Sequence, residues 1–261
     1  DILSSSDKIK TTFTSSGTTG SSTSKHHVTN LDIYTKSFTK CFEQFYGKIE
    51  DYVILGLLPS YIEREGSSLI HMVDAMIKSS KYSESGFYLN NISELKNTLE
   101  NLDSQGKKIL LIGVSFALLD VVETYQFRLK NTIIMETGGM KGRRKELIRS
   151  ELHTILKSGF GVENIHSEYG MTELLSQAYS KGHGLFNCPP WMQVITRDTD
   201  DALSIQSVGE TGGINVIDLA NINSCAFIAT QDLGCTNIDG SFEVIGRFDN
   251  SDIRGCNLMV L

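Results

Sequence analysis

Three short apolar runs, at residues 52–58, 108–114 and 132–136, constrain the fold most. Each is the length of a strand and is apolar almost without a break, the pattern of a strand covered on both faces. Helical spacing fills the gaps. Leu31, Tyr34, Phe38, Cys41, Phe42 and Phe45 recur at i, i+3 and i+4 behind a cap at Thr29 or Asn30. Ser93 is read as the cap of a helix through Leu102. Residues 143–157 form an amphipathic helix that stops at Gly159, a candidate C′ glycine. Strands alternating with helices predict an α/β fold with sheets flanked by helices. Three further runs, 214–219, 225–230 and 242–245, read as strands, and from about residue 202 onward the chain becomes β-rich.

Composition narrows the partners. With 261 residues, 40% of them hydrophobic, the chain can bury a sizeable core. The net charge is −7 and no basic patch is visible, so nucleic acid is not an expected partner. No apolar run reaches the roughly 18 residues of a membrane helix. Five scattered cysteines, odd in number and without a CxxC pair, suit a reducing cytoplasm with free thiols. His183 and Cys188 lie close in sequence, but no second pair has zinc-like spacing. The first residue is Asp1 rather than Met, which reads as a fragment or processed end, and the first ten residues read as a frayed terminus. No internal repeat or linker is evident.

Residues 11–27, TTFTSSGTTGSSTSKHH, hold eleven Ser or Thr among seventeen. A flexible linker has this composition too, but needs neither the aromatic Phe13 ahead nor Lys25 behind. The spacing excludes a Walker A loop, which requires Lys directly after Gly, whereas Lys25 stands five residues past Gly20. The physical logic of a phosphate cradle remains. Glycine lets backbone N–H groups converge on an anion, hydroxyls add donors, and a nearby lysine adds a point charge.

The order Thr14, Ser15, Ser16, Gly17, Thr18, Thr19, Gly20, then Lys25, resembles the phosphate loop of acyl-adenylate-forming enzymes. Three further motifs follow in order, with a glycine pair upstream of the first of them. YGMTE at 169–173 is similar to the second core motif of that superfamily. The resemblance implies that Tyr169 and Gly170 lie at the adenine, that Thr172 contacts phosphate, and that Glu173 helps hold Mg²⁺. Alone, TE would read as an exposed helix start capped by Thr172. Gly138 and Gly139 resemble the glycine pair lining the adenine pocket, and alone would read as a turn after a strand. The segment 231–234 resembles the T-G-D segment whose Asp binds ribose, mapped to Asp232, with Gln231 in place of the expected Gly. GRFDNSDIRG at 246–255 resembles the G-R-x-D hinge, with Arg247 at ribose or phosphate and Asp249 at the swivel.

Within the superfamily the chain resembles the acyl-protein synthetase (LuxE) type, through FTSSGTTG, the segment 57–73 and the apolar tail 253–261. The resemblance implies one adenylate-forming core domain over 1–261, of the large N-terminal type, with 202–261 as a β-rich portion ending in an acyl-acceptor tail. The N-terminal segment that such proteins carry before the phosphate loop, and the C-terminal swivel domain with its catalytic lysine, are expected to be absent. The implied activity is ATP- and Mg²⁺-dependent activation of a fatty or other carboxylic acid, then self-acylation on Cys256 and transfer to an acyl-CoA-reductase-like protein. Two alternatives are an acyl-CoA ligase of the phenylacetate-CoA-ligase-like type and a nucleotide-binding scaffold without turnover.

The chemistry fits these residues. A carboxylate resists nucleophiles until adenylation supplies a good leaving group, and phosphoryl chemistry needs positioning and charge neutralisation, to which Lys25, Thr172 and Glu173 are suited. A thiolate at Cys256, near Arg254, is a suitable second nucleophile. Nine residues separate Arg247 from Cys256, a reach of at most about 30 Å. The other four cysteines are expected to be core thiols. His26 and His27 are expected as exposed loop residues, His71 as a packing residue, and His166 as a candidate for lining the acyl or adenine pocket.

Overall fold

The computed structural model describes residues 3–4, 6–15, 24–58, 66–88, 91–138, 144 and 147–247. Its centre is a six-stranded sheet in the order β4-β3-β5-β6-β7-β8, formed by β3 (Val53–Leu57), β4 (Gly86–Phe87), β5 (Ile109–Val114), β6 (Thr132–Thr137), β7 (His166–Tyr169) and β8 (Ala178–Ser180). All neighbours are parallel except β7 and β8. Every residue of β3 and β5 is buried, as expected of strands covered by helices on both faces.

The helices around this sheet are α1 (Leu31–Tyr46), α2 (Ser68–Ser79), α3 (Ile92–Ser104), α4 (Ser115–Thr124) and α5 (Arg149–Phe160). In α1 the expected stripe is real: Tyr34, Phe38, Cys41 and Phe42 are all buried. Asn30 is its cap, accepting from the Asp32 N–H at 3.0 Å. Two helix boundaries differ from the sequence reading. Asn91, not Ser93, caps α3, because its side chain accepts from the Glu94 N–H and leaves Ser93 in the first turn. α5 starts at Arg149 rather than 143 and runs past Gly159 to Phe160. The residue that ends it is Gly161, at φ 66°. Gly159 serves packing instead: a Cβ there would overlap the Val122 side chain on α4.

A second, antiparallel sheet has the order β10-β11-β12-β13-β9, from β9 (Leu185–Phe186), β10 (Met192–Arg197), β11 (Thr211–Asp218), β12 (Phe227–Thr236) and β13 (Phe242–Arg247). This is the expected β-rich portion, although β9 and β10 place its start before residue 202. Arg149 ties it to the first sheet. Its guanidinium donates to the Val244 carbonyl at 3.1 Å, lies 4.9 Å from the Phe186 ring centre, and stands 3.6 Å from buried Glu136 on β6. No helix among the described residues is long and apolar enough to cross a membrane.

Candidate active site

Two strands carry the ends of the Ser/Thr/Gly run. β1 (Thr11–Thr14) pairs antiparallel with β2 (Lys25–Val28), with Phe13 opposite His26 and Thr14 opposite Lys25. Alternation along a strand sends successive side chains to opposite faces. His26 and Val28 therefore point inward while Lys25 is exposed. Phe13 anchors the hairpin by burying itself edge-on against Tyr34, 5.5 Å between ring centres. His71 stacks on the same Tyr34 ring, in the packing role expected of it. Pairing continues past the strands. The Ser15 N–H donates to the Ser24 carbonyl at 3.1 Å, and the Ser24 N–H to the Ser15 hydroxyl at 2.9 Å. Thr14 and Ser15 thus lie at the end of the hairpin, while Ser16, Gly17, Thr18, Thr19 and Gly20 lie outside the described residues.

The YGMTE segment is no helix start. Tyr169 ends β7, and residues 170–177 form the connection to β8. That connection is braced by Asp218, fully buried at the end of β11. Its carboxylate accepts from the Leu175 N–H at 2.8 Å, the Ser176 N–H at 3.1 Å, the Ser176 hydroxyl at 2.6 Å and the Ala220 N–H at 3.0 Å. Asn221 adds a bond from its amide to the Glu173 carbonyl at 2.8 Å. These bonds satisfy backbone groups that a connection without regular structure would otherwise leave buried and unpaired.

The hairpin grips the same connection at two consecutive residues. The Ser24 hydroxyl donates to the Glu173 carboxylate, and His26 Nδ1 lies 2.8 Å from the Thr172 carbonyl. A carbonyl can only accept, so Nδ1 carries the proton. Burial lowers the His26 pKa, which favours the neutral ring with Nε2 facing the Ser224 hydroxyl at 3.0 Å. The ends of the first and second motifs, roughly 150 residues apart in sequence, therefore meet.

The third and fourth motifs join them through Tyr169. Its hydroxyl donates to Asp232 Oδ2 at 2.8 Å, and its ring packs edge-on against Phe186 and Phe242. Asp232 and Arg247 are direct partners across β12 and β13, with Arg247 Nε 4.0 Å from Asp232 Oδ1. Burial raises the Asp232 pKa, while the Tyr169 hydroxyl and Arg247 oppose that rise. Gln231, the departure from the expected glycine, gives Arg247 a second partner at 3.3 Å. Gly138 follows β6 at φ 67°, and its carbonyl accepts from the Ser115 hydroxyl at 3.0 Å. Gly170 passes directly over the Glu168 carboxylate, where any Cβ would collide.

Some expectations are corrected. His26 is buried rather than an exposed loop residue, because strand alternation turns it inward. His166 begins β7 and bonds the Tyr46 hydroxyl at 3.1 Å, at the opposite end of that strand from Tyr169. Burial and nearby Lys181 lower its pKa to about 4. Of the cysteines, Cys41 is a core thiol, but Cys188, Cys225 and Cys235 are only partly buried. Gly139, Asp249, Arg254 and Cys256 lie outside the described residues. Asp218, Asn221 and Ser224 carried no sequence signal, and Ser24 was marked only as one hydroxyl of the 11–27 run, since each acts through partners far away in the chain.

The donor set suits a hard cation. Glu173 offers a carboxylate beside hydroxyl groups, and among the described residues no cluster of three or more His, Cys, Asp or Glu could hold a metal ion. Mg²⁺ commonly takes one or two carboxylates together with nucleotide phosphates, so one such residue fits it.

The family model described as acyl-protein synthetase, LuxE, matches residues 2–261. Among curated proteins, none matches by sequence. Solved structures match in fold. ATP-bound MatB from Rhodopseudomonas palustris has a TM-score of 0.69 at 14% identity, covering 93% of this chain and 49% of its own. The O-succinylbenzoate coenzyme A synthetase MenE from Bacillus subtilis, in complex with ATP and magnesium ion, has a TM-score of 0.60 at 17% identity, covering 93% and 51%. McyG A-PCP complexed with phenylalanyl-adenylate has a TM-score of 0.65 at 14% identity, covering 92% and 47%. The chain spans about half the length of these structures.

Proposed function

The chain belongs to the LuxE acyl-protein synthetase family, and on that premise we propose that it activates a fatty or other carboxylic acid with ATP and transfers the acyl group to its own Cys256. The observation that carries this reading is the contact of Ser24 and His26 with Glu173 and Thr172, which joins two motifs of phosphate-handling type. The Tyr169–Asp232–Arg247 group beside them supplies an aromatic face, a carboxylate and a guanidinium, suited to a nucleoside. That solved structures of the same fold hold ATP, magnesium ion or an acyl-adenylate supports it further.

In the proposed reaction a carboxylate oxygen of the acid attacks the α-phosphorus of ATP, and the bond to the bridging oxygen breaks as pyrophosphate leaves. Lys25 and the hydroxyls of Thr14, Ser15 and Thr172 neutralise and orient the phosphates, as do the residues 16–20 of the run. Mg²⁺ on Glu173 would supply charge neutralisation on the phosphates. Gly138, Gly139, Tyr169 and Gly170 line the base, and Asp232 and Arg247 hold the ribose. The Cys256 sulfur, once its proton has gone to solvent, attacks the acyl carbonyl, forming a C–S bond as the C–O bond to AMP breaks. A second protein, of the acyl-CoA-reductase-like kind, takes the acyl group in the cytoplasm.

The test is intact-mass measurement of the full-length protein with ATP, Mg²⁺ and a panel of fatty acids. An acyl-sized gain, removed by neutral hydroxylamine and lost in Cys256→Ser, is expected. Pyrophosphate release without a covalent adduct would instead assign the acceptor role to another molecule such as coenzyme A. Tight ATP binding with neither pyrophosphate nor AMP formed would leave only a nucleotide-binding scaffold.

A further inference from the structure

His26 is the inward residue of a strand whose other job is to present Lys25 outward. It is buried, and its ring spans two partners from distant parts of the chain: the Thr172 carbonyl at 2.8 Å and the Ser224 hydroxyl at 3.0 Å. The Ser224 hydroxyl also lies 3.1 Å from Asn221 Oδ1, so its one proton serves either that oxygen or His26 Nε2, and the Asn221 amide returns to the Glu173 carbonyl at 2.8 Å. The ring therefore closes a circuit running from β2 through Thr172, Glu173, Asn221 and Ser224 back to β2.

From this geometry we infer that His26 is a positioning residue for the nucleotide site: its Nδ1–H holds the Thr172 carbonyl so that Thr172 and Glu173 stay seated against the hairpin bearing Lys25. The inference rests on the nucleotide-binding part of the function proposed above. Strand alternation makes the arrangement self-consistent. The inward turn of His26 is what keeps Lys25, its chain neighbour, on the exposed face, while Ser24, two residues before His26 and on the same side, reaches Glu173. Loss of the Nδ1 donor would free one backbone carbonyl and let the Thr172–Glu173 pair move relative to Lys25. A displacement of about 1 Å at such a site is enough to cost on the order of 100-fold in rate.

The two ring nitrogens can be separated by substitution. The amide nitrogen of Asn overlays Nδ1 of His, and that of Gln overlays Nε2. Full-length wild type, His26→Ala, His26→Asn and His26→Gln are compared for Mg·ATP affinity by calorimetry, for fatty-acid-dependent ATP–pyrophosphate exchange, and for thermal unfolding. Affinity and exchange are read at a temperature where all four are folded.

His26→Ala and His26→Gln are expected to lose roughly 10- to 100-fold in the exchange rate, in Mg·ATP affinity, or in both, with His26→Asn within about threefold of wild type. Unchanged binding and exchange in His26→Ala, or His26→Asn as impaired as His26→Ala, would overturn the inference. Losses that track melting temperature alone would reduce His26 to a structural residue. A wild-type protein that binds Mg·ATP but exchanges no pyrophosphate with any acid would refute acid activation, and binding alone would then decide on His26. A wild-type protein that binds no Mg·ATP would refute both.

Discussion

The Tyr169 hydroxyl, at the end of β7 in the six-stranded sheet, donates to Asp232 Oδ2 at 2.8 Å on β12 of the antiparallel sheet. One hydrogen bond thus joins the two sheets at the point where two of the sequence motifs meet. Replacing Tyr169 with Phe keeps the ring packing on Phe186 and Phe242 but leaves Asp232 with the more distant Arg247. Urea unfolding of Tyr169→Phe is expected to show a loss of about 1 kcal/mol, the usual result of leaving a partly buried acceptor short of its donor. The double variant with Asp232→Asn should lose less than the sum of the two single changes, because both remove the same bond.

Lys25 is exposed and opposite Thr14, so its removal should leave the fold intact. Lys25→Ala is expected to change unfolding free energy by less than about 0.5 kcal/mol. Its Mg·ATP dissociation constant should rise roughly 10- to 100-fold, as for loss of a charge-assisted phosphate contact. Calorimetry at two salt concentrations checks this. A weakened affinity accompanied by an equal loss of stability would remove Lys25 from the site.

Glu168 is buried one residue before Tyr169, bonded by the Thr137 hydroxyl, and burial raises its pKa to about 7. The native state then holds a proton that the unfolded chain has already released. The associated stability is present below about pH 4.5 and is lost as pH rises through about 7, because the native state binds more protons across that window. Unfolding free energy measured from pH 4 to 8 should fall for wild type relative to Glu168→Gln by about 3 kcal/mol. Parallel pH profiles for the two proteins would show that Glu168 is ionised in the folded state.

Gly159 sits inside α5, where a Cβ would overlap Val122 on α4. Gly159→Ala should destabilise by about 1–3 kcal/mol despite the higher helix propensity of Ala. Adding Val122→Ala should recover part of that loss, since the clash partner is removed. A stabilised Gly159→Ala protein would mean that the two helices separate without cost.

The strands at 52–58, 108–114 and 132–136 and the buried face of α1 were legible because hydrophobic periodicity is local: each residue's fate depends on neighbours a turn or a strand step away. Helix ends were less so. Gly159 and Gly161 are two residues apart, and only the contact with Val122 decides that the first packs and the second caps. The short β7, β8 and β9 gave no run long enough to read. At the site, the order of the motifs carried a family resemblance, and that resemblance implied Lys25, Tyr169, Thr172, Glu173, Asp232 and Arg247. The roles of His26, Asp218 and Asn221 were fixed only by tertiary structure. Their partners lie 146, 42 and 48 residues away, and a buried hydrogen bond at that separation leaves no trace in local pattern, because it is the packing of the hairpin and β11 against the 170–177 connection that brings the donors to their acceptors.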